Sequence, residues 1–378
     1  MIRDLDYLVL SDVHLGHKRT KTSDIIDHLN KFFDNFSSRT DYITLDLIFI
    51  AGDLFDSLLD FSSSDIHEAT LWLSRLIEFC GRHDIKLRVL EGTPSHDWKQ
   101  SKIIDTIRDM LECKTDVRYI DTLYIEHIED IDLTVLYVPD EWTASTELTY
   151  SQLQELLKEQ SLSFVDIAIM HGVFGYQVQG IPVKIESHDE SKYLSIVKHY
   201  INIGHYHNYS TYDRIIAQGS FDRLSHGEEE PKGAVRVHIG EENYFSFISN
   251  PHAKIYKTVV VRYKDVDKAM RSLDKQLKDI PTDSYVRIRC TKDHPIYSNL
   301  DNIKKRYPLL NFSKVAEETI AEAEKNVIED DIDYVAIAIT PDNICKLLKD
   351  EVTSNNTYSE IDESNLTKIL GDTYEQLR

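Results

Sequence analysis

Residues 7–14, Tyr7-Leu8-Val9-Leu10-Ser11-Asp12-Val13-His14, run from an apolar stretch straight into two metal-capable side chains. Such a stretch reads as a strand of a packed sheet, and the polar groups at its end stand where such sheets display catalytic side chains. The same construction recurs along the chain. Leu47-Ile48-Phe49-Ile50-Ala51 leads into Gly52-Asp53-Leu54-Phe55-Asp56, and Leu87-Arg88-Val89-Leu90 precedes Gly92-Thr93-Pro94-Ser95-His96-Asp97. Val165 to Met170 precedes His171, and Tyr200-Ile201-Asn202-Ile203 precedes Gly204-His205-Tyr206-His207. A lone Asp-x-His is most often a solvated turn. Five strand ends, each closing on Asp or His, form a pattern.

Charge explains why such a set would be assembled. A phosphodiester is an anion that resists attack by another anion. Two divalent cations roughly 3.5–4 Å apart can clamp its oxygens and stabilise the developing charge. Aspartate oxygens and neutral imidazoles suit manganese, iron or zinc, and the absence of thiolates from the set argues against a structural zinc cage. One carboxylate must bridge the ions, and Asp53 stands in the middle of the series. Gly52 lets the backbone approach closely, while Asp56 is placed to orient a ligand histidine.

The pattern D-x-H, G-D-x-x-D, a third element ending in H-D, then H-G and G-H-x-H resembles the calcineurin-like metallophosphoesterase superfamily. Gly219-Ser220-Phe221-Asp222-Arg223-Leu224-Ser225-His226-Gly227-Glu228, followed by Lys232-Gly233, is similar to a strand-end signature of SbcD-type DNA double-strand-break repair nucleases. The resemblance covers about residues 1 to 250. It implies that Asp12, His14 and His207 hold a first metal, that Asp53 bridges, and that His171 and His205 hold a second. It gives His96 a catalytic, non-ligand role at the scissile phosphate. Two divalent ions are implied, manganese first, with magnesium, iron or zinc as alternatives.

One departure from the family pattern matters. Where the family has G-N-H-D or G-N-H-E, with the asparagine amide binding the second metal, this chain reads Gly92-Thr93-Pro94-Ser95-His96-Asp97, two residues longer. Ser95 stands in the asparagine's place and is the expected ligand there. Thr93, a backbone carbonyl and a water are the alternatives. His17, three residues past His14, is a candidate substrate contact. For Arg223 and His226, contact with a phosphate and locking of a turn are evenly balanced. Packing is the simpler reading of Phe174-Gly175-Tyr176 and of the other histidines, His28 and His188 among them.

At 378 residues the chain allows two or three domains and a sizeable core. No apolar run approaches the ~20 residues of a membrane span. The N-terminus enters a strand and not a signal peptide, and four scattered cysteines fit a reducing compartment. A cytoplasmic location is expected, in a bacterial cell or in the host if the protein is phage-encoded. The net charge of −22 argues against extensive non-specific DNA affinity by the isolated chain.

Strands alternating with helical patterns at Asp24–Phe36, Asp65–Arg82 and Lys99–Cys113 predict an α/β layer architecture, with the first three strands parallel. The later strands carry hairpin-like spacing. With the family resemblance, the expected fold is a two-sheet sandwich flanked by helices, spanning residues 1–250. Asn250-Pro251 marks a boundary. A small α+β unit over 251–328 follows, resembling the cap that SbcD-type nucleases place over the site. Residues 329–378 read as a helical tail, whose Ile361, Leu366, Ile369 and Leu370 would pack internally or dock a partner.

The leading functional expectation is a metal-dependent DNA nuclease subunit. The resemblance implies partnership with an SbcC-type coiled-coil ATPase and a homodimer within a heterotetramer, since this chain has no ATP-binding Gly-rich loop. A phosphoprotein phosphatase, a small-molecule phosphodiesterase and a catalytically weak metal-binding scaffold are the alternatives.

Overall fold

In the computed structural model, which describes residues 4–38, 45–111, 114–179 and 185–316, alternate side chains of β1 (Leu5–Leu10) are buried on both faces. Tyr7 and Val9 enter a cluster shared by two sheets, while Leu8 and Leu10 enter one shared with helices. A strand covered on both sides has no polar face, which is why this run is continuously apolar.

The chain continues through α1 (Thr22–Ser38), β2 (Leu45–Ala51), α2 (Ser64–His83), β3 (Lys86–Leu90), α3 (Pro94–Asp97), α4 (Ile103–Leu111) and β4 (Val117–Ile120). It then forms β5 (Tyr124–Ile128), β6 (Leu133–Val138), α5 (Thr146–Glu159), β7 (Ile167–Gly172), α6 (Glu190–Leu194) and β8 (Ile201–His205). Four more strands follow, β9 (Ser210–Tyr212), β10 (Ile215–Ala217), β11 (Gly233–Ile239) and β12 (Tyr244–Ser249).

Two six-stranded sheets result. The first has the order β12-β11-β1-β2-β3-β4, with β1 to β3 parallel as expected and β4 continuing the parallel run. The second has the order β5-β6-β7-β8-β10-β9. The later strands were expected to pair as hairpins, and β11–β12 does, but β6, β7, β8 and β10 are mutually parallel. Between β6 and β7 the chain returns through α5, and between β7 and β8 through α6; such crossovers permit parallel pairing.

Helices cover the outer faces. Ile66, Ala69, Trp72, Leu73, Leu76, Ile77 and Cys80 form the buried face of α2, whose N-cap Ser63 accepts from Ile66 N. Truncating one of them, as in Leu73→Ala, costs about 2–5 kcal/mol. Between the sheets a polar tie is fully enclosed. Arg88 donates through Nε and Nη2 to the two Glu126 oxygens, each at 2.9 Å, and Tyr137 Oη donates to the same carboxylate at 2.8 Å. Asp116 also pairs with Arg88 and Arg118 with Glu126, each at 2.9 Å, so the buried charges belong to a four-member network.

After residue 250 come β13 (Tyr256–Val260), α7 (Val266–Leu277), β14 (Tyr285–Cys290), α8 (Pro295–Ser298), α9 (Leu300–Arg306) and β15 (Asn311–Ala316). These strands form a separate three-stranded parallel sheet in the order β13-β14-β15. Its core of Val259, Val286, Ile288 and Phe312 packs with Leu273 and Ile303 from the helices. Tyr256 and Tyr285, in register on neighbouring strands, stack at 4.7 Å. The helices expected beyond residue 329 lie outside the described residues.

Candidate metal centre

The carboxyl ends of β1, β2, β7 and β8 meet at one edge of the sandwich. The loops after β1 and β2 are zipped together there. Val13 N and His14 N both donate to Asp53 O, at 2.9 and 3.1 Å, and Leu15 N donates to Leu54 O at 2.9 Å. This pairing sets Asp12 and His14 beside Asp53. Asp12, His14, Asp53 and His205 all have φ between 49° and 97°, a left-handed conformation uncommon for non-glycine residues and concentrated at functional sites. Gly52 is required for packing as well as for its φ of 84°. A Cβ there would lie 2.1 Å from His171 Nδ1.

Three overlapping groups could hold a metal ion: Asp12 with His14 and His207; His14 with Asp53 and His96; and Asp53 with His171 and His205. In each, one atom per residue lies within 4.8 Å of the others. Asp53 is the pivot. Its Oδ2 is 3.3 Å from His171 Nε2 and 3.8 Å from both His14 Nε2 and His96 Nδ1.

The outer contacts of the histidines prepare them as ligands. His171 Nδ1 donates to Ala51 O at 2.7 Å, leaving the lone pair on Nε2, which is buried with no hydrogen-bond partner. His14 Nδ1 lies 3.1 Å from Asp56 Oδ1, so the ligand histidine that Asp56 holds is His14. His205 Nδ1 lies 3.3 Å from Asp140 Oδ2, and His207 Nδ1 lies 3.3 Å from Glu228 Oε1. Four Nδ1 atoms are thus engaged, and each leaves Nε2 for a ligand; such outer acceptors fix tautomer and orientation.

The remaining atoms call for positive charge. His14 Nε2 and His207 Nε2 face each other at 3.2 Å, an unfavourable contact for two lone pairs. Asp12 Oδ1 accepts from His205 N at 2.9 Å, but its buried Oδ2 has no hydrogen-bond partner. Burial would lower the pKa of His171, yet Asp53 outweighs it and holds that pKa well above its ordinary value. Burial likewise opposes Asp140 at His205 and Glu228 at His207, and in both the carboxylate prevails and raises the imidazole. Asp53 is held well below the usual range against burial, chiefly by His171. A cluster that attracts protons this strongly offers the same places to a divalent cation. The donor set fits a metal ion.

His96 sits on α3 over this edge, its Nδ1 3.2 Å from His14 Nδ1. Burial lowers its pKa to about 4, so the ring is neutral at pH 7. The next residue, Asp97, is fully buried and joins two loops by accepting from Phe55 N at 2.9 Å and Gly92 N at 2.8 Å. Burial, reinforced by Asp53 and Glu91, raises it to about 8 against those two bonds.

The hydroxyl that reaches the cluster is that of Thr93. Its Oγ1 lies 3.1 Å from His205 Nδ1, 3.2 Å from Asp140 Oδ2 and 3.3 Å from Asp53 Oδ2. Ser95, the expected ligand, is half-buried on α3, with its carbonyl accepting from Trp98 Nε1 at 2.6 Å. The reason is geometric. Thr93 stands at the N-cap position of α3 in extended conformation, without a side-chain cap bond, and its N–H donates to Asp53 Oδ1 at 2.6 Å, so the residue next to Gly92 faces the metal groups.

Of the three candidate substrate contacts, His17 and Arg223 are engaged within the protein, whereas the buried His226 Nδ1 has no hydrogen-bond partner. His17 Nδ1 accepts from Arg19 N at 3.3 Å and Thr20 N at 3.1 Å, and burial lowers its pKa to about 4. Arg223 donates to Ala253 O and Lys254 O at 3.3 and 3.2 Å, the turn-locking alternative. His226 packs edge-on to Tyr256 at 5.1 Å.

Asp140 and Glu228 were not singled out from the sequence. Asp140 carried a usable signal, an acid just beyond the apolar run Leu133–Val138. Glu228 lay inside the Gly219–Gly233 signature, four residues before Lys232, which it pairs at 3.0 Å. His28, read as packing, forms a buried pair with Asp222.

No family model matches the chain. Among solved structures, one is similar over 65% of this chain and 100% of its own, at 13% identity and a TM-score of 0.41; a likeness this low carries no weight in the reading of the site. Among the described residues, no helix is long and apolar enough to cross a membrane.

Proposed function

We propose that this protein is a metal-dependent phosphodiesterase acting on DNA, a nuclease subunit that uses two divalent ions, with manganese as the first choice. One observation carries the reading. Asp53 belongs to two of three overlapping ligand groups, one of which reaches the Asp12–His14–His207 group through His14, and Nδ1 of His14, His171, His205 and His207 is in each case tied outward.

Asp12, His14 and His207 would hold one ion, His171 and His205 the other, and Asp53 would bridge. Thr93 Oγ1 is the side-chain oxygen available where the family places an amide. Bound divalent ions would supply charge neutralisation on the phosphodiester and a water of lowered pKa. The chain's own residues do the rest. Asp56, Asp140 and Glu228 hold the imidazoles in position, and Asp97 ties the loops that carry Asp53 and Thr93. His96, neutral at pH 7, is suited to donate an N–H to a phosphoryl oxygen, a hydrogen bond that strengthens as charge develops there.

The charges beside the first group are mixed: at His226 burial, then Arg287 and Arg19, lower the pKa to about 4 against Glu229, and at His17 burial is opposed by Asp56 and Glu228. The acidic total charge favours a small phosphodiester or a phosphoprotein. An ATPase with a coiled coil is the partner that the family resemblance calls for; the candidate docking residues Leu366 and Ile369 lie outside the described residues. Homodimerisation, also implied by the resemblance, is tested by sedimentation of the full chain, where a monomer at micromolar concentration speaks against it.

The decisive experiment incubates the full chain and manganese with labelled duplex DNA, single-stranded DNA and bis(4-nitrophenyl) phosphate. Cleavage of DNA supports the nuclease, and hydrolysis of the small diester alone moves the reading to the runner-up. Tight manganese binding without hydrolysis of any of the three would leave the scaffold.

A further inference from the structure

The two ligand groups differ in what stands behind them. His14 leads directly into a loop in which His17 N donates to His14 O at 3.1 Å and His17 Nδ1 accepts from Thr20 N at 3.1 Å. That loop ends against the third sheet. Thr20 Oγ1 lies 3.2 Å from Tyr256 Oη, and Tyr285 Oη donates to Arg19 O at 3.3 Å.

The other histidine of the same group is reached from the same tyrosine. Tyr256 meets the ring of His226 edge-on at 5.1 Å. Two residues on, Glu228 accepts from Ser225 Oγ at 3.1 Å and Leu224 N at 3.2 Å, and lies 3.3 Å from His207 Nδ1. Glu229 then accepts from Thr258 N of β13 at 3.3 Å. The loop holding His207 and the loop bearing His14 therefore converge on β13. His171 rests instead on Ala51 O at the end of β2, and His205 on Asp140 in the turn after β6, neither of them near β13 in the chain.

We propose that Tyr256 is a positioning residue for the Asp12–His14–His207 group, so that a divalent cation in this group and the seating of β13 and β14 on the core stabilise one another. The inference rests on the metal reading above. It follows from reciprocity: if the third sheet sets the spacing of His14 and His207, then a cation that needs that spacing favours the seated sheet equally. Asp53–His171–His205 lacks this dependence.

The test uses manganese alone, with the full chain. Calorimetric titration of the wild type and of Tyr256→Phe, which keeps the ring and loses the hydroxyl contact, reads the two affinities separately. One affinity should fall about two- to tenfold, the size of one net hydrogen bond, and the other should stay. Tyr256→Ala should lower the same affinity further, and Thr20→Val should reproduce the Phe variant without touching the third sheet, which covers the case that the Ala variant does not fold. Hydrogen exchange supplies a readout independent of activity: amides in 256–260 and 285–290 should slow on manganese binding in the wild type and slow less in Tyr256→Phe. Equal losses at both ions, no loss at either, or two bound ions with unchanged exchange in β13 and β14 overturns the proposal. A wild type that binds no manganese overturns the metal reading, and this inference with it.

Discussion

The Asp12–His14–His207 group and the Asp53–His171–His205 group use the same ligand types, but they are built differently. The second is framed by strand ends: His171 and His205 close β7 and β8, and the His171 ring is held by the backbone carbonyl that ends β2. The first depends on loops, on a Glu228–Lys232 pair and, through Tyr256, on the third sheet. Asymmetric support of this kind separates a rigid ligand set from an adjustable one, because strand ends move only with the sheet whereas loops move with whatever packs on them.

The largest effect is expected at Asp53, the carboxylate proposed to bridge the two ions. Asp53→Asn should remove most manganese-dependent hydrolysis and lower the metal stoichiometry, with circular dichroism unchanged. Near wild-type turnover in this variant would sink the two-ion assignment.

His96→Ala comes next. It should leave both manganese affinities nearly intact in calorimetry while turnover falls by about two to four orders of magnitude, the usual range for a positioned proton donor or acceptor. Loss of bound metal instead would move His96 into the ligand set, consistent with its membership in the group that joins His14 to Asp53.

The comparison itself breaks or holds on the two orienting carboxylates. Glu228→Gln should weaken one manganese ion by about ten- to hundredfold and Asp140→Asn the other, the range for partners that orient a metal-binding imidazole. If each variant weakens both ions alike, the groups behave as one site and the distinction drawn from their scaffolds fails.

The smallest change concerns Thr93. A neutral hydroxyl is a poorer donor than an amide oxygen, so wild-type titrations should resolve two unequal affinities. Thr93→Val should lower the weaker one about two- to tenfold, within the range of a single lost polar contact. Equal and tight occupancy in the wild type would mean that another group completes the coordination.

Much of this centre was legible in the sequence, because a strand and the polar residue at its end are neighbours in the chain. Runs such as Tyr7–Leu10 and Leu47–Ala51 announce strands by composition alone, and their terminal Asp and His are read off directly. Asp56 was legible for the same reason, lying three residues from Asp53. Thr93 was legible only as one alternative to Ser95: the longer loop put Ser95 opposite the asparagine of the family the chain resembles, and only the start of α3 turned Thr93 toward Asp53. The parallel order of β6, β7, β8 and β10 was not legible, because pairing direction depends on how α5 and α6 return the chain and not on the strands' own residues.

The sequence by itself determined which side chains could serve as ligands and where strands end, since both are properties of short segments under local sterics and apolar periodicity. Tertiary structure alone decided which of them meet. His14 and His207 are 193 positions apart, and their contact exists because two sheets pack face to face and bring opposite stretches of chain to one edge. The same packing recruited Asp140 and Glu228 as outer partners and set Tyr256 between the two loops of the first group. No local pattern encodes such encounters, because they are fixed by the burial of whole faces.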